Sequence, residues 1–137
     1  MLKEQQLFSS IDCYVTGSID PGLLIIEGKP AEGVSIDQCR EAIWIELEQL
    51  KAEPVGDQEL EKIKNKVESN LVFSEISVLT KASSLAFYEL LGDADMINAE
   101  GDNYRRVTAA DIQRMAQTLL VESNCNEVVY LPKNGVE

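Results

Sequence analysis

The strongest constraint on the fold is a change in the apolar period along the chain. Residues 8–17 alternate apolar and polar side chains, which predicts a half-buried strand. Its apolar face carries Ile11, Cys13 and Val15. After a turn at residues 18–22, Leu23–Ile26 is apolar at every position, which predicts a second strand buried on both faces. Because the connection is so short, the two strands are expected to pair antiparallel.

From Ser35 onward the apolar side chains recur every three or four residues, the period of a helix. Ser35 and Gln38 have the spacing of a capping box, so a first helix is predicted from Ser35 to Glu53. Its apolar stripe comprises Ile36, Cys39, Ile43, Leu47 and Leu50. Pro54 and Gly56 are expected to end this helix.

A second helical pattern runs from Asp57 to Leu91, which is too long for one ordinary helix, so a break is expected near residues 73–77. Residues 93–103 are polar and are predicted to form a connection. Thr108 and Asp111 predict the capped start of a last helix, which ends near Ser123 and Asn124. The segment Cys125–Leu131 is typical of a closing strand, ended by Pro132.

This order of two strands, three or four helices and one strand predicts an α+β fold, an antiparallel sheet with helices packed on one face. Three strands are few for so much helix, because sheets usually contain about four to six. We therefore expect residues 1–137 to form a single domain that is the C-terminal portion of a larger one, with upstream strands missing.

The absence of histidine is the most informative count in the composition. It excludes Ser-His-Asp and Cys-His nucleophilic systems in this chain. It also excludes the histidine-ligated zinc sites of hydrolases, which need imidazole ligands and an open coordination position. No glycine-rich phosphate loop is present, and Asp93-Ala-Asp95 lacks the later ligands and the glycine of a calcium loop.

The net charge of −12 (12 basic against 24 acidic side chains) argues against nucleic-acid binding, since phosphate backbones would be repelled. The acidity favours solubility, or alternatively a wall that attracts cationic peptides. No apolar run is long enough for a membrane span. The three cysteines, Cys13, Cys39 and Cys125, lack the spacing of a metal site or disulfide framework, and are predicted to be small buried hydrophobic residues.

Carboxylates are abundant, and a paired general acid and base could be hidden among them. They nevertheless fall on the predicted solvent faces of helices or at helix starts, where acidic residues are expected. These carboxylates are Glu46, Glu48, Glu53, Asp57, Glu59, Glu61 and Glu68. The aromatic residues Trp44, Phe73, Phe87 and Tyr88 are predicted to be core or interface residues. No catalytic, cofactor-binding or metal-binding residue is therefore assigned.

Six segments, in order and at compatible spacing, resemble the M16 family of pitrilysin- and insulinase-type zinc metallopeptidases. Glu59-Leu60 with Lys64 is similar to the family's "EL...K" helix start, and Val107-Thr108 with Asp111 to its "VT..D....A" helix. The segments are residues 2–10, 19–26, 35–53 with 57–64, Gly92, 107–116 and 128–132.

The resemblance implies the fold shared by M16 peptidases and LuxS-like domains, and two domain types that close around a peptide. The N-terminal type carries the His-x-x-Glu-His zinc motif, and the C-terminal type supplies the opposite wall. Because the present chain has no histidine, it matches the C-terminal type, although a truncated catalytic domain would also fit. Ser9 stands where the family has a substrate-holding tyrosine, and Leu2 or Lys3 where it has a basic partner, so no substrate-binding residue is carried over.

The leading hypothesis is a non-catalytic wall domain, in a bacterial cytoplasm or periplasm, of a zinc-dependent metalloendopeptidase. The resemblance implies no cofactor in this chain, zinc in a partner catalytic M16-type domain of the same or a sister chain, and a peptide substrate. An inactive scaffold or dimerisation module is the alternative, and a small enzyme using carboxylates alone is a third hypothesis. An open strand edge predicts homodimers or aggregates of the isolated chain.

Overall fold

The computed structural model describes residues 6–17 and 19–131, which form two strands followed by five helices and a short 3₁₀ turn. The strands are β1 (Phe8–Val15) and β2 (Leu24–Pro30), and the helices are α1 (Ile36–Ala52), α2 (Asp57–Ser74), α3 (Val78–Leu90), α4 (Met96–Arg106) and α5 (Ala109–Leu119). The 3₁₀ turn spans Glu122–Asn124. Three parts of the predictions lie outside the described residues: Ser18 in the predicted turn, Pro132 after the predicted last strand, and residues 2–5 in the family resemblance.

The two strands pair antiparallel, with a register that runs from Phe8 opposite Pro30 to Val15 opposite Leu24. Thr16 continues the pairing at the loop end of this hairpin, since its N–H donates to the Leu23 carbonyl at 3.0 Å and its hydroxyl accepts from the Leu23 N–H at 2.8 Å. The predicted α+β class with an antiparallel sheet is confirmed.

The two predicted helix caps are confirmed. Each was predictable because it depends only on two residues three positions apart. The Ser35 hydroxyl accepts a hydrogen bond from the Gln38 N–H at 3.2 Å, and Gln38 Oε1 accepts one from the Ser35 N–H at 3.0 Å. Thr108 and Asp111 form the same reciprocal pair at the start of α5. The predicted break is also confirmed: α2 ends at Ser74, and a new helix begins at Val78.

Helix α5 is fastened to the end of α1 by two glutamine side chains. The amide groups of Gln113 and Gln117 donate to the Lys51 carbonyl at 3.1 and 2.9 Å. These bonds satisfy a carbonyl that the last turn of α1 leaves without an intrahelical donor. Helix α1 thereby lies between β2 and α5, while α2 and α3 each pack on α4.

The prediction that residues 93–103 form a polar connection is wrong, because Met96–Arg106 forms helix α4. Because most of its residues are polar, the sequence pattern does not reveal the narrow face of α4 that packs on α2. On this face Gly101 lies close to Leu71, and Arg105 pairs with Glu68. A helix needs only one such face, since most helical stability in proteins comes from packing.

The prediction of a closing strand at residues 125–131 is also wrong: the sheet within the described residues has only β1 and β2. The sequence has strand-like composition there, but a strand is defined by a ladder of bonds to a neighbour. No described strand pairs with this segment, and Val128 is 91% exposed.

Burial is much sparser than the sequence pattern predicts. The buried apolar residues are Phe8, Cys39, Ala42 and Ala116. The predicted inward face of β1 is wrong for Cys13 and Val15, which are exposed, and the predicted burial of Leu23–Ile26 is wrong for its first two residues. Strand side chains are buried only where another layer covers them, and α1 is the helix that contacts β2.

The prediction of buried cysteines holds for Cys39 and is wrong for Cys13 and Cys125, which are exposed free thiols. Cys39 lies on the buried stripe of α1, where its Sγ lies 3.5 Å from the Leu7 carbonyl. Burial raises the pKa of this thiol above its ordinary value. Cys13 and Cys125 lie on segments without a covering layer, which explains the difference.

Gly28 is required where the Phe8 ring crosses the hairpin. A methyl group at this position would lie 2.7 Å from Cε1 and 2.9 Å from Cδ1 of that buried ring. We expect Gly28→Ala to lower the free energy of unfolding by about 1–3 kcal/mol, measured by chemical denaturation. Gly101→Ala is the contrast: its methyl meets Leu71 at an ordinary 4.0 Å inside α4, so a gain of about 0.5–1 kcal/mol is expected. Equal effects of the two substitutions would contradict the packing described.

Candidate functional surface

The described residues bring no group of potential metal ligands together. Within residues 6–17 and 19–131, no three cysteine, aspartate or glutamate side chains are placed so that they could hold a metal ion. The chain as a whole contains no histidine. Across the same residues, every helix falls short of the length and apolar character that crossing a bilayer requires.

The seven carboxylates considered as possible acid–base groups lie mostly in solvent. Six of them are exposed, and Glu46 is half-buried. Glu48 pairs with Lys51, Glu61 lies 3.7 Å from Lys64, and Glu68 pairs with Arg105. The predicted solvated face is therefore confirmed for six of the seven.

The chain exposes much more surface than its mass requires. Its accessible surface is 11063 Å² for a mass of 15.2 kDa. A compact monomer of that mass exposes about 7,100 Å². Many large apolar side chains contribute to this exposed surface.

One part of this apolar surface lies where α2 gives way to α3. We call it the apolar corner, and it comprises Val72, Phe73, Ile76, Val78 and Leu79. Each of these side chains is between 62% and 84% exposed. The corner stays uncovered because α2 and α3 both pack on α4, so no described element packs over the turn between them. Phe73 was predicted to be a core or interface residue. Because it is exposed, it is not a core residue of this chain.

A second uncovered part is the β-hairpin itself. Tyr14 and Val15 at the end of β1, and Leu23 and Leu24 at the start of β2, are exposed. Neither strand pairs with a third one among the described residues, so each has an outer edge of backbone groups free to pair. Such an edge is a template for an added strand.

The extended segment at residues 125–131 is attached to α1 by an ion pair. The Arg40 guanidinium donates through Nε to Glu127 Oε2 at 2.7 Å and through an Nη to Oε1 at 2.6 Å. This two-point contact lowers the pKa of the Glu127 carboxyl and raises that of Arg40. Beyond it, Val128, Tyr130 and Leu131 project into solvent, with Tyr130 94% exposed.

We expect Glu127→Gln to release this segment from α1. The pKa of Glu127 is lowered in the folded protein, so the attachment is complete above the ordinary carboxyl pKa of about 4.3 and is lost as the pH falls through the lowered value. The backbone ¹⁵N–¹H nuclear Overhauser effect of Val128 and Val129 should fall in the variant at neutral pH, and in the wild type only on acidification. Glu122→Gln, which removes the same charge outside the ion pair, is the control. Unchanged values in Glu127→Gln would mean that the ion pair does not hold the segment.

Sequence reasoning did not find the Arg40–Glu127 contact, because the two residues are 87 positions apart and neither belongs to a motif. Of the four aromatic residues predicted to lie in the core or at an interface, two are partly buried. Trp44 and Tyr88 are half-buried, whereas Phe73 and Phe87 are exposed.

Comparison with known proteins shows the fold. No protein-family model matches the chain, and no curated protein sequence is significantly similar to it. Among solved structures, it is similar to the inactive peptidase domain of a protein described as a zinc protease from Bordetella parapertussis. The identity is 24% and the TM-score 0.87, over 98% of this chain and 72% of the other.

Two further solved structures have a similar fold. A protein described as a zinc protease from Bordetella pertussis Tohama I has 25% identity and a TM-score of 0.82, over 95% of this chain and 72% of that one. A protease from Helicobacter pylori has 17% identity and a TM-score of 0.81, over 90% of this chain and 30% of that one. The predicted likeness to an inactive zinc-protease domain is confirmed at the level of the fold.

Proposed function

We propose that the chain is the non-catalytic, C-terminal type of domain of an M16-like zinc metallopeptidase, and forms one wall of a chamber that encloses a peptide. The observation that carries the proposal is the shared fold with an inactive zinc-protease domain over nearly the whole chain. A chain without histidine cannot supply the imidazole ligands that hold zinc in these enzymes, which is compatible with a non-catalytic wall.

In this proposal the zinc and the catalytic residues come from a catalytic M16-type domain of the same or a sister chain. The excess apolar surface supports such a partner, since the apolar corner and the hairpin would gain stability from being covered. The unpaired strand edge offers backbone donors and acceptors to an extended peptide, a mode of recognition that needs no particular side chain. The departure at Ser9 from the family's tyrosine is compatible with recognition through the backbone.

A scaffold or interaction module is the second candidate. The observation that favours it is the same uncovered surface, which serves assembly whether or not any partner holds zinc. The two functions differ in one respect: the wall must raise the turnover of a zinc-bearing partner, and the scaffold need only bind.

The test combines the chain with the domain that carries His-x-x-Glu-His in the same gene or a neighbouring one. The chain alone should neither hold stoichiometric zinc nor hydrolyse a fluorogenic peptide. Adding it to the zinc-bearing domain should raise kcat/KM by about a hundredfold, because a closed chamber positions the peptide at the metal. A partner with alanine at the first histidine of the motif is the control and should remain inactive.

Each outcome separates the candidates. Turnover by the isolated chain would refute a non-catalytic wall. A stable complex whose activity equals that of the zinc-bearing domain alone would favour the scaffold. Failure of the two domains to associate would contradict both functions.

A further inference from the structure

A groove between α3 and α4 combines aromatic, hydroxyl and carboxylate groups. It is open to solvent and has a volume of about 510 Å³, within the range of sites that hold small ligands. Helix α3 contributes Thr80, Ser83, Ser84, Phe87 and Tyr88 at successive helical positions, and α4 contributes Glu100. None of these residues belongs to the apolar corner or to the hairpin.

Glu100 is half-buried and has no basic partner. The ion pairs among residues 6–17 and 19–131 use other carboxylates, so no lysine or arginine there neutralises it within 4 Å. Tyr88 of α3 lines the groove together with it. Burial, and then hydrogen bonding to Glu100, raise the pKa of Tyr88 to about 12, so the phenol stays protonated at neutral pH.

Two aromatic side chains line the groove together with this carboxylate. Phe87 and Tyr88 have ring centroids 5.9 Å apart at 72°, an edge-to-face arrangement that fixes one ring against the other. Tyr104 follows Glu100 by four residues and therefore lies on the same face of α4. It is also close enough to Tyr88 to contribute to its electrostatics. A carboxylate beside aromatic rings attracts an organic cation through charge and through the ring faces.

We propose that this groove binds the side chain of an arginine presented by another polypeptide. The planar guanidinium can donate two hydrogen bonds to one carboxylate while stacking on an aromatic ring, which a lysine ammonium cannot do. The hydroxyl oxygens of Ser83 and Ser84 can accept its remaining N–H groups. A metal ion fits poorly, because Glu100 is the one carboxylate among the described residues that line the groove. The net charge of −12 draws basic segments toward the surface.

The proposal is independent of the proposed function, because it concerns the isolated chain and requires neither zinc nor a partner domain. The competing account is that the Tyr88–Glu100 hydrogen bond only joins α3 to α4. That account predicts no difference between a charged and a neutral ligand of the same shape.

The experiment titrates the full 137-residue chain with acetyl-Ala-Arg-Ala-amide, followed by ¹⁵N–¹H correlation spectra. Shifts should be centred on Ser83, Ser84, Tyr88 and Glu100. The matched peptide with citrulline, which is neutral and nearly isosteric, should bind about tenfold or more weakly, and the lysine peptide should fall between them.

Two variants separate the site from general attraction to an acidic protein. Glu100→Gln keeps an acceptor for Tyr88 but loses the charge, and its affinity for the arginine peptide should fall about tenfold or more. Glu89→Gln removes the same charge from an exposed position of α3 that does not line the groove, and should bind like the wild type. No binding to the wild type, equal binding of the arginine and citrulline peptides, or equal losses in the two variants would each overturn the proposal.

Discussion

Phe8→Ala should lower the free energy of unfolding by about 3–5 kcal/mol, the ordinary cost of deleting a buried phenylalanine ring. Phe8 has the largest side chain among the four buried apolar residues, which also include Cys39, Ala42 and Ala116. Small domains are stable by about 5–15 kcal/mol, and a chain with so few buried residues belongs near the lower end. The variant should therefore retain no more than about 2 kcal/mol, and a measurable unfolded fraction is expected at room temperature.

The matched control is Phe73→Ala, the same chemical change at a side chain that is 70% exposed. It should alter the free energy of unfolding by no more than about 0.5 kcal/mol. Denaturation followed by far-ultraviolet circular dichroism measures both variants. Similar losses in the two would mean that the buried Phe8 ring contributes no more to stability than an exposed ring does.

A double-mutant cycle with Gly28 ties this loss to one contact. Gly28→Ala is costly because its methyl would meet the Phe8 ring. Once that ring is deleted, the same methyl enters the space it leaves. The cost of Gly28→Ala should therefore disappear in the Phe8→Ala background, and simple additivity would show that it arises elsewhere.

Local chemistry explains which parts of the fold could be predicted. The boxes formed by Ser35 with Gln38 and by Thr108 with Asp111 each lie within four residues, so their sequence contains the whole interaction. The break between Ser74 and Val78 follows from a length limit and from a serine that can cap a new helix. Hairpin pairing was predictable for the same reason, since a short turn leaves few alternatives.

Non-local chemistry explains the errors. Helix α4 was missed because its apolar face is narrow and meets Leu71, thirty positions before Gly101. The segment 125–131 was predicted as a strand because composition reports the tendency to pair, whereas pairing depends on a neighbour that no described strand supplies.

The candidate sites also divide into features that the sequence shows directly and contacts that depend on the folded structure. The lack of histidine is read directly from the sequence, and it limits the chemistry open to this chain whatever the fold. The Arg40–Glu127 pair and the Tyr88–Glu100 groove join residues from different elements, and neither has a recognisable spacing. Such sites become visible only when the packing of helices has placed the side chains together.

The isolated chain should self-associate in a concentration-dependent manner, and we expect the apolar corner to carry most of the interaction. Burying a large apolar side chain is worth about 1.5–3 kcal/mol, and the corner exposes five of them at one turn. The variant Phe73→Glu with Leu79→Glu should therefore raise the dissociation constant about a hundredfold, measured by sedimentation velocity. The control is Gln49→Glu with Gln58→Glu, which adds the same two charges at exposed positions away from the corner.

The hairpin edge offers the alternative route to association, and one further variant separates the two. Val15→Lys places a charge at an exposed position of β1, where lysine discourages pairing between strands. If this variant becomes monomeric while the corner variant still associates, self-association proceeds through the sheet edge. If the wild type is already monomeric at every concentration, neither surface holds a second copy strongly, and the excess area must then be matched to a partner of different shape.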